Sequence, residues 1–195
     1  MQEPEPAHPA ADPDGRIRHR MRRRGGVGEA RYLTFSCHNR LPLFGEATTR
    51  DLFERLLFQE ADVAGFLILA WVLMPEHAHV LGVPLKGDGN VGVWTGRLKS
   101  RLARAALGHL RQTQPGAVEP LVQPDGSTRF WLAGGGFDRL VQDPWDVRRA
   151  ARYVHRNPVA RGLCARPGDW RWSSAWDGDL RWDPRSSARA KGLAP

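Results

Sequence analysis

The chain has 195 residues, 41% of them hydrophobic and 26% charged, enough for one domain with its own core and some loose ends. Lys and Arg number 29 against 21 Asp and Glu, a net charge of +8 that points to a polyanionic partner, nucleic acid ahead of an anionic membrane surface. The two cysteines, Cys37 and Cys164, lack metal-site or CxxC spacing and fit reduced thiols. No apolar run approaches the ~18 residues of a membrane span, and the acidic, proline-rich start lacks the apolar stretch of a signal peptide. A cytoplasmic protein without a membrane partner is expected.

Residues 1–29 read as a disordered arm, first rich in Pro, Ala, Asp and Glu, then basic through Arg16, Arg18, Arg20, Arg22, Arg23 and Arg24 before the Gly25-Gly26 pair. The pattern then predicts a strand over Arg31–His38, where Tyr32, Thr34 and Ser36 alternate with Leu33, Phe35 and Cys37. A helix is expected over Thr48–Gly65, opened by a Thr48/Asp51 capping box, with Leu52, Phe53, Leu56, Leu57 and Val63 on its apolar face and Gly65 at its end. The apolar run Phe66–Met74 suits a central strand. Pro75-Glu76 breaks it, and His77–Val83 returns as the second arm of a hairpin.

A second helix is predicted over Val91–Arg111, with Val91, Trp94, Leu98, Leu102 and Leu110 facing in and Arg97, Lys99, Arg101, Arg104 and Arg111 facing out. The stretch from Pro115 to Gly136 reads as loop with one short aromatic strand, Arg129–Leu132. The last helix takes Asp143 as cap and Pro144 as its first residue, and ends at Asn157-Pro158, because a residue before proline is steered out of the helical region. This order predicts an α+β fold: one antiparallel sheet with helices packed on it, spanning residues 30–176, and a flexible tail over 177–195.

Two patterns carry chemistry. In His77-Ala78-His79 the imidazoles lie two residues apart on a strand and project to the same side, either as two ligands of one metal or as two histidines on a half-exposed strand. The HxHxD pattern of metallo-hydrolases is absent, since Leu81 holds the acidic position, and so is HExxH. In the last helix, Tyr153 and Asn157 stand one turn apart at the rim of the apolar stripe formed by Val147, Ala150, Ala151 and Val154. There Tyr153 could pack the edge of the core or reach a cleft, and Asn157 could be a helix cap. Arginines interleaved with Trp131, Phe137, Trp170, Trp172 and Trp176 suit unstacked bases and phosphates, or a tryptophan-rich core.

The segment Met74-Pro75-Glu76-His77-Ala78-His79-Val80 resembles the MPxHxHxL motif of IS200-like, or REP-associated, tyrosine transposases. Tyr153-Val154-His155-Arg156-Asn157-Pro158-Val159-Ala160-Arg161-Gly162-Leu163 is similar to their YIHxNPVRAGLV segment, and Trp170-Arg171-Trp172-Ser173-Ser174 to the WxWSS that follows. Thr34-Phe35, His38-Asn39-Arg40 and Leu43-Phe44 match the opening strand and turn, and the run Phe130–Arg139 resembles FWQxGGGYDR, departing at Leu132 and Phe137. The matches are collinear over residues 30–176.

The resemblance implies a ferredoxin-like (RRM-like) HUH palm. It implies that His77, His79 and Asn157 bind Mg²⁺ or Mn²⁺ and that Tyr153 is the nucleophile. Insertion-sequence relatives carry glutamine where Asn157 stands. The implied activity is cleavage and rejoining of single-stranded DNA near hairpin (REP-like) elements through a 5′-phosphotyrosine, without ATP, by a monomer or homodimer. The candidate DNA contacts are the arm's Arg16, Arg18, Arg20, Arg22, Arg23 and Arg24, and Arg97, Lys99, Arg101, Arg104, Trp131 and Arg139. The alternative is a hairpin DNA- or RNA-binding protein of transposase descent that has lost catalysis.

Overall fold

In the computed structural model the described residues are 26–87, 90–134 and 136–176. The arginine-rich part of the arm and the tail beyond residue 176 lie outside them. The elements, in chain order, are β1 (Ala30–Ser36), α1 (Ala47–Ala64), β2 (Phe66–Leu73), β3 (His77–Pro84), α2 (Val91–Thr113), a short α3 (Pro115–Val118), β4 (Phe137–Val141) and α4 (Pro144–Ala160). The strands form one antiparallel sheet in the order β2-β3-β1-β4. With α1 and α2 as the two crossovers, this is the expected ferredoxin-like α+β arrangement.

The sheet has two differently furnished faces, because successive side chains on a strand point to opposite sides. Leu33, Phe35, Ala78 and Val80 join Phe53, Leu57, Trp94, Leu98 and Leu102 of α1 and α2 in the main core. Tyr32, Ala70, Val72 and Leu81 meet Ala150 and Val154 of α4 in a second, smaller core. The even-numbered positions of β1 and the odd-numbered positions of β3 therefore face α4. His77 and His79 are among them.

Local signals place several boundaries. Gly65 ends α1 in a left-handed conformation (φ 63°) that a glycine adopts without steric cost. The Asn90 side chain accepts from the N–H groups of Gly92 and Val93 at the start of α2, and Asp143 accepts from Asp146 N–H at the start of α4. Behind α4, the segment Trp172–Ser174 runs back along β2: Leu73 N–H donates to the Trp172 carbonyl (2.9 Å), and Ser174 N–H donates to that of Trp71 (3.0 Å).

Four expectations are corrected. The first helix is capped at Glu46, without a side-chain cap bond, so the Thr48/Asp51 box does not form, and Val63 is 59% exposed rather than part of the apolar face. Residues 129–132 make only an isolated bridge, Trp131 to Cys37, and the fourth strand is Phe137–Val141. The last helix runs past Asn157-Pro158 to Ala160. There the Asn157 carbonyl accepts from Arg161 N–H and that of Pro158 from Leu163 N–H, while Gly162 takes φ 67°. Proline removes one donor there, at a point where the helix needs only half a turn more.

Candidate active site

Antiparallel pairing of β1 with β3 sets Thr34 opposite His79 and Ser36 opposite His77. Tyr32, Thr34, His77 and His79 thus share the face that α4 covers. The two imidazoles meet at right angles with their Nε2 atoms 3.0 Å apart, both rings buried. From α4, the Asn157 amide comes within 3.2 Å of His79 Nε2, and the Tyr153 ring stands edge-on to that of His79, with centroids 5.7 Å apart. The structure thus brings together the four residues singled out from the HxH and Tyr–Asn patterns. Among the described residues, no group of three His, Cys, Asp or Glu side chains is placed to hold a metal; the side-chain amide beside the two histidines is that of Asn157.

Two further residues fix the first histidine. His77 Nδ1 lies 3.0 Å from the Glu76 carboxylate, which only accepts hydrogen bonds, so Nδ1 carries the proton and donates. Arg161 donates to the same carboxylate oxygen at 2.8 Å. Burial pushes the Glu76 carboxyl up, but the bond and charge of Arg161 and the proximity of His77 outweigh it and hold Glu76 below the usual carboxylate range. Burial likewise pushes His77 below the ordinary imidazole value, with Glu76 opposing in part. The favoured state is therefore a neutral His77 beside an ionised Glu76, which leaves the His77 Nε2 lone pair aimed into the site. Neither Glu76 nor Arg161 was singled out from the sequence. Glu76 stands next to a candidate ligand, but its pairing with Arg161 spans 85 residues and no local pattern announces it.

His79 is held from its other side. Its Nδ1 lies 2.7 Å from the Tyr32 hydroxyl and 2.8 Å from that of Thr34, and its ring stacks on that of Tyr32. Burial pushes the Tyr32 phenol far above its ordinary value, so it stays protonated. This separates the two tyrosines of the chain. Tyr32 is buried and hydrogen-bonded to His79, whereas Tyr153 is half-buried and, among the described residues, no protein group hydrogen-bonds its hydroxyl. Of the pair, Tyr153 is the more exposed.

The expected nucleic-acid contacts divide. Arg139 is opposite Tyr32 on β4, on the α4 side of the sheet, where its charge acts on the Tyr32 phenol. Arg97, Lys99, Arg101 and Arg104 lie on α2, across the sheet from the histidines. Arg97 and Arg101 are tied to the buried Glu60 carboxylate of α1, and Lys99 sits over the Trp131 ring. Trp131 itself, expected to stack on a base, is instead a core residue. It is 8% exposed against Phe35, Phe44 and Phe130, and its indole N–H donates to the Lys99 carbonyl. Trp170 and Trp172 flank the Arg50 guanidinium, and Trp176 receives Arg171. Arg16 to Arg24 lie outside the described residues.

No family model matches the chain. Over 109 residues, 56% of this chain, it is 26% identical to a REP-associated tyrosine transposase of Escherichia coli K12. Over an equal length it is 26% identical to a putative REP-associated tyrosine transposase of Haemophilus influenzae. The match spans about half the length of these curated relatives, 54% and 58% respectively. The fold is similar to that of a solved REP-associated tyrosine transposase bound to a REP hairpin, with a TM-score of 0.59 and 20% identity, covering 87% of this chain and 84% of that one. The likeness read from the motifs is thus met twice: the chain is similar in sequence and in fold to REP-associated tyrosine transposases.

Proposed function

We propose that the protein is a metal-dependent nuclease and strand transferase acting on single-stranded DNA beside hairpins, with Tyr153 as the nucleophile. One observation carries this reading. A half-buried tyrosine stands edge-on to a histidine whose Nε2 converges with the Nε2 of a second histidine and with an asparagine amide, at 3.0 and 3.2 Å. A hairpin-binding protein without chemistry has no use for that convergence.

His77, His79 and Asn157 would hold Mg²⁺ or Mn²⁺. The two Nε2 atoms, 3.0 Å apart, are close enough to serve together as ligands of one divalent ion. With the Asn157 amide turned over, its oxygen would take the place of the nitrogen near His79. When bound, the ion would supply Lewis-acid polarisation of the scissile phosphate.

The chain's own groups do the rest. Tyr153 Oη attacks phosphorus in line, the P–O3′ bond breaks, and the strand leaves with a free 3′-OH while the 5′ phosphate stays on the tyrosine. Attack by a 3′-OH on that phosphotyrosine reverses the step and joins strands, so bond energy is conserved and no nucleotide triphosphate is needed. Burial keeps His77 neutral against the pull of Glu76, the Nδ1–H bond to Glu76, itself held by Arg161, turns the His77 lone pair inward, and His79 is oriented by Tyr32 and Thr34.

The test is to incubate the full chain with Mn²⁺ and end-labelled hairpin oligonucleotides with single-stranded flanks, taken from the DNA around its own gene. A denaturation-resistant protein–DNA adduct is expected. It should vanish in Tyr153→Phe, which keeps the ring, while hairpin binding stays within a few-fold. Cleavage that survives in Tyr153→Phe would point to a water nucleophile. Hairpin binding without cleavage under any divalent ion would favour the non-catalytic alternative.

A further inference from the structure

The exposed side of α4 is built from one repeated element. Trp145, Arg149, Arg152 and Arg156 follow the spacing i, i+4, i+7, i+11, and all four are exposed. At ~100° per residue they fall in a band about 60° wide whose near edge lies about 40° from Tyr153. The band is about 16 Å long at 1.5 Å per residue. It begins with an indole that is 68% exposed and ends at Arg156, one turn beyond Tyr153.

Two of the three charges in this band are not spent on the fold. The helix carries four arginines against one acid, Asp146. Asp146 pairs with Arg149 at 2.7 Å, and the Arg148 guanidinium sits over the Trp145 ring at 5.7 Å. Among the described residues neither Arg152 nor Arg156 has an ion-pair partner. On α2 the position is the reverse, since Arg97 and Arg101 are both engaged by Glu60. A large aromatic exposed to water, with unpaired guanidinium groups continuing its line past a half-buried tyrosine, has the composition that tracks a single strand: a π-face for a base and cations for the phosphates that follow.

We infer that the outer face of α4 is a single-strand track, on which the unpaired DNA flanking the hairpin lies with one base on Trp145 and its phosphates on Arg152 and Arg156. The inference rests on the assignment of Tyr153 as nucleophile for its direction, since the track delivers the strand to that hydroxyl. Its test reads binding alone and needs no cleavage.

The probes are a blunt DNA hairpin and the same hairpin with a twelve-nucleotide oligo-dT tail, each labelled with fluorescein. Affinities are measured by anisotropy at several salt concentrations, in the Tyr153→Phe background. Three proteins are compared: Tyr153→Phe alone, and the same protein with Trp145→Ala or with Arg152→Gln/Arg156→Gln. Thermal melting checks the fold, which surface substitutions should leave unchanged.

The tail is expected to tighten binding to Tyr153→Phe. Trp145→Ala should remove about 5- to 150-fold of that gain, the range for loss of one stacked base. The double arginine variant should lower the salt slope for the tailed probe by about 1.4, at about 0.7 per phosphate of single strand. Binding of the blunt hairpin should not change. An unchanged tail gain in both variants overturns the track, as does an equal loss for blunt and tailed probes, which would make the face a duplex-binding one. Failure of Tyr153 to form an adduct in the cleavage assay would refute the nucleophile assignment and leave this binding result standing.

Discussion

His77 donates its Nδ1 proton to Glu76 at 3.0 Å, and the same carboxylate oxygen receives Arg161 at 2.8 Å. The residue just before the first histidine thereby decides which of its nitrogens faces the site. Glu76→Gln removes the charge but keeps the shape. It should weaken Mn²⁺ binding by about 10- to 100-fold, the usual effect of losing a partner behind a ligand, with cleavage falling in step. Calorimetric titration of Mn²⁺ into both proteins decides it, and equal affinities would leave Glu76 a purely structural role.

A second ion pair governs stability. Arg31 on β1 grips Asp138 on β4 through Nε at 2.9 Å and Nη2 at 2.7 Å, and both side chains are buried. Arg31→Met alone leaves a buried carboxylate without its main partner and should cost about 3–5 kcal/mol in denaturant unfolding. Arg31→Met combined with Asp138→Leu should recover most of that loss, since an apolar pair needs no desolvated charge. A double variant as unstable as the single one would contradict this account.

Trp131 separates core from interface. With its ring among Phe35, Phe44 and Phe130, Trp131→Ala should destabilise the fold by about 3–5 kcal/mol. Hairpin affinity, measured at a temperature where the variant is folded, should stay within about two-fold. A selective loss of DNA binding with normal stability would restore it to the nucleic-acid face.

The basic arm tests the sequence reading beyond the described residues. Deleting residues 1–26 removes six arginines, Arg16 to Arg24, and should flatten the salt dependence of hairpin binding by about 4–5 in slope, at 0.7–0.9 per phosphate. Preference among hairpin sequences should persist. Equal slopes for the two proteins would make the arm irrelevant to binding.

How much of this was legible depended on the range of the interactions. Tyr153 and Asn157 were readable as rim positions because a helix repeats locally, and the HxH pair because a strand does. The fourth strand was not. In Phe137–Val141 one of the two buried positions is an aspartate, bonded by an arginine 107 residues away, so the alternation of apolar and polar residues that marks a strand is broken by its own ion pair. Residues 129–132 offer the better apolar run, yet their aromatics serve the core from a loop. The roles of Tyr32 and Thr34 behind His79 emerge only from the β1–β3 register, which one strand alone does not reveal.

The return of Trp172–Ser174 along β2 also covers one edge of the sheet. β2 is the outer strand beside β3, and its N–H and C=O groups would be open to a strand of another molecule. Leu73 N–H is taken by the Trp172 carbonyl, Trp71 N–H by the Ser174 hydroxyl, and the Trp71 carbonyl by Ser174 N–H. Trp170 adds an indole bond to the Leu73 carbonyl at 2.9 Å. The WxWSS motif is therefore a built-in guard against edge-to-edge aggregation, fastened to the helix that bears Tyr153 through the 2.8 Å contact between His155 and Ser174. A chain cut before Trp170 would keep every residue of the proposed centre and lose the segment that shields its sheet from neighbouring molecules.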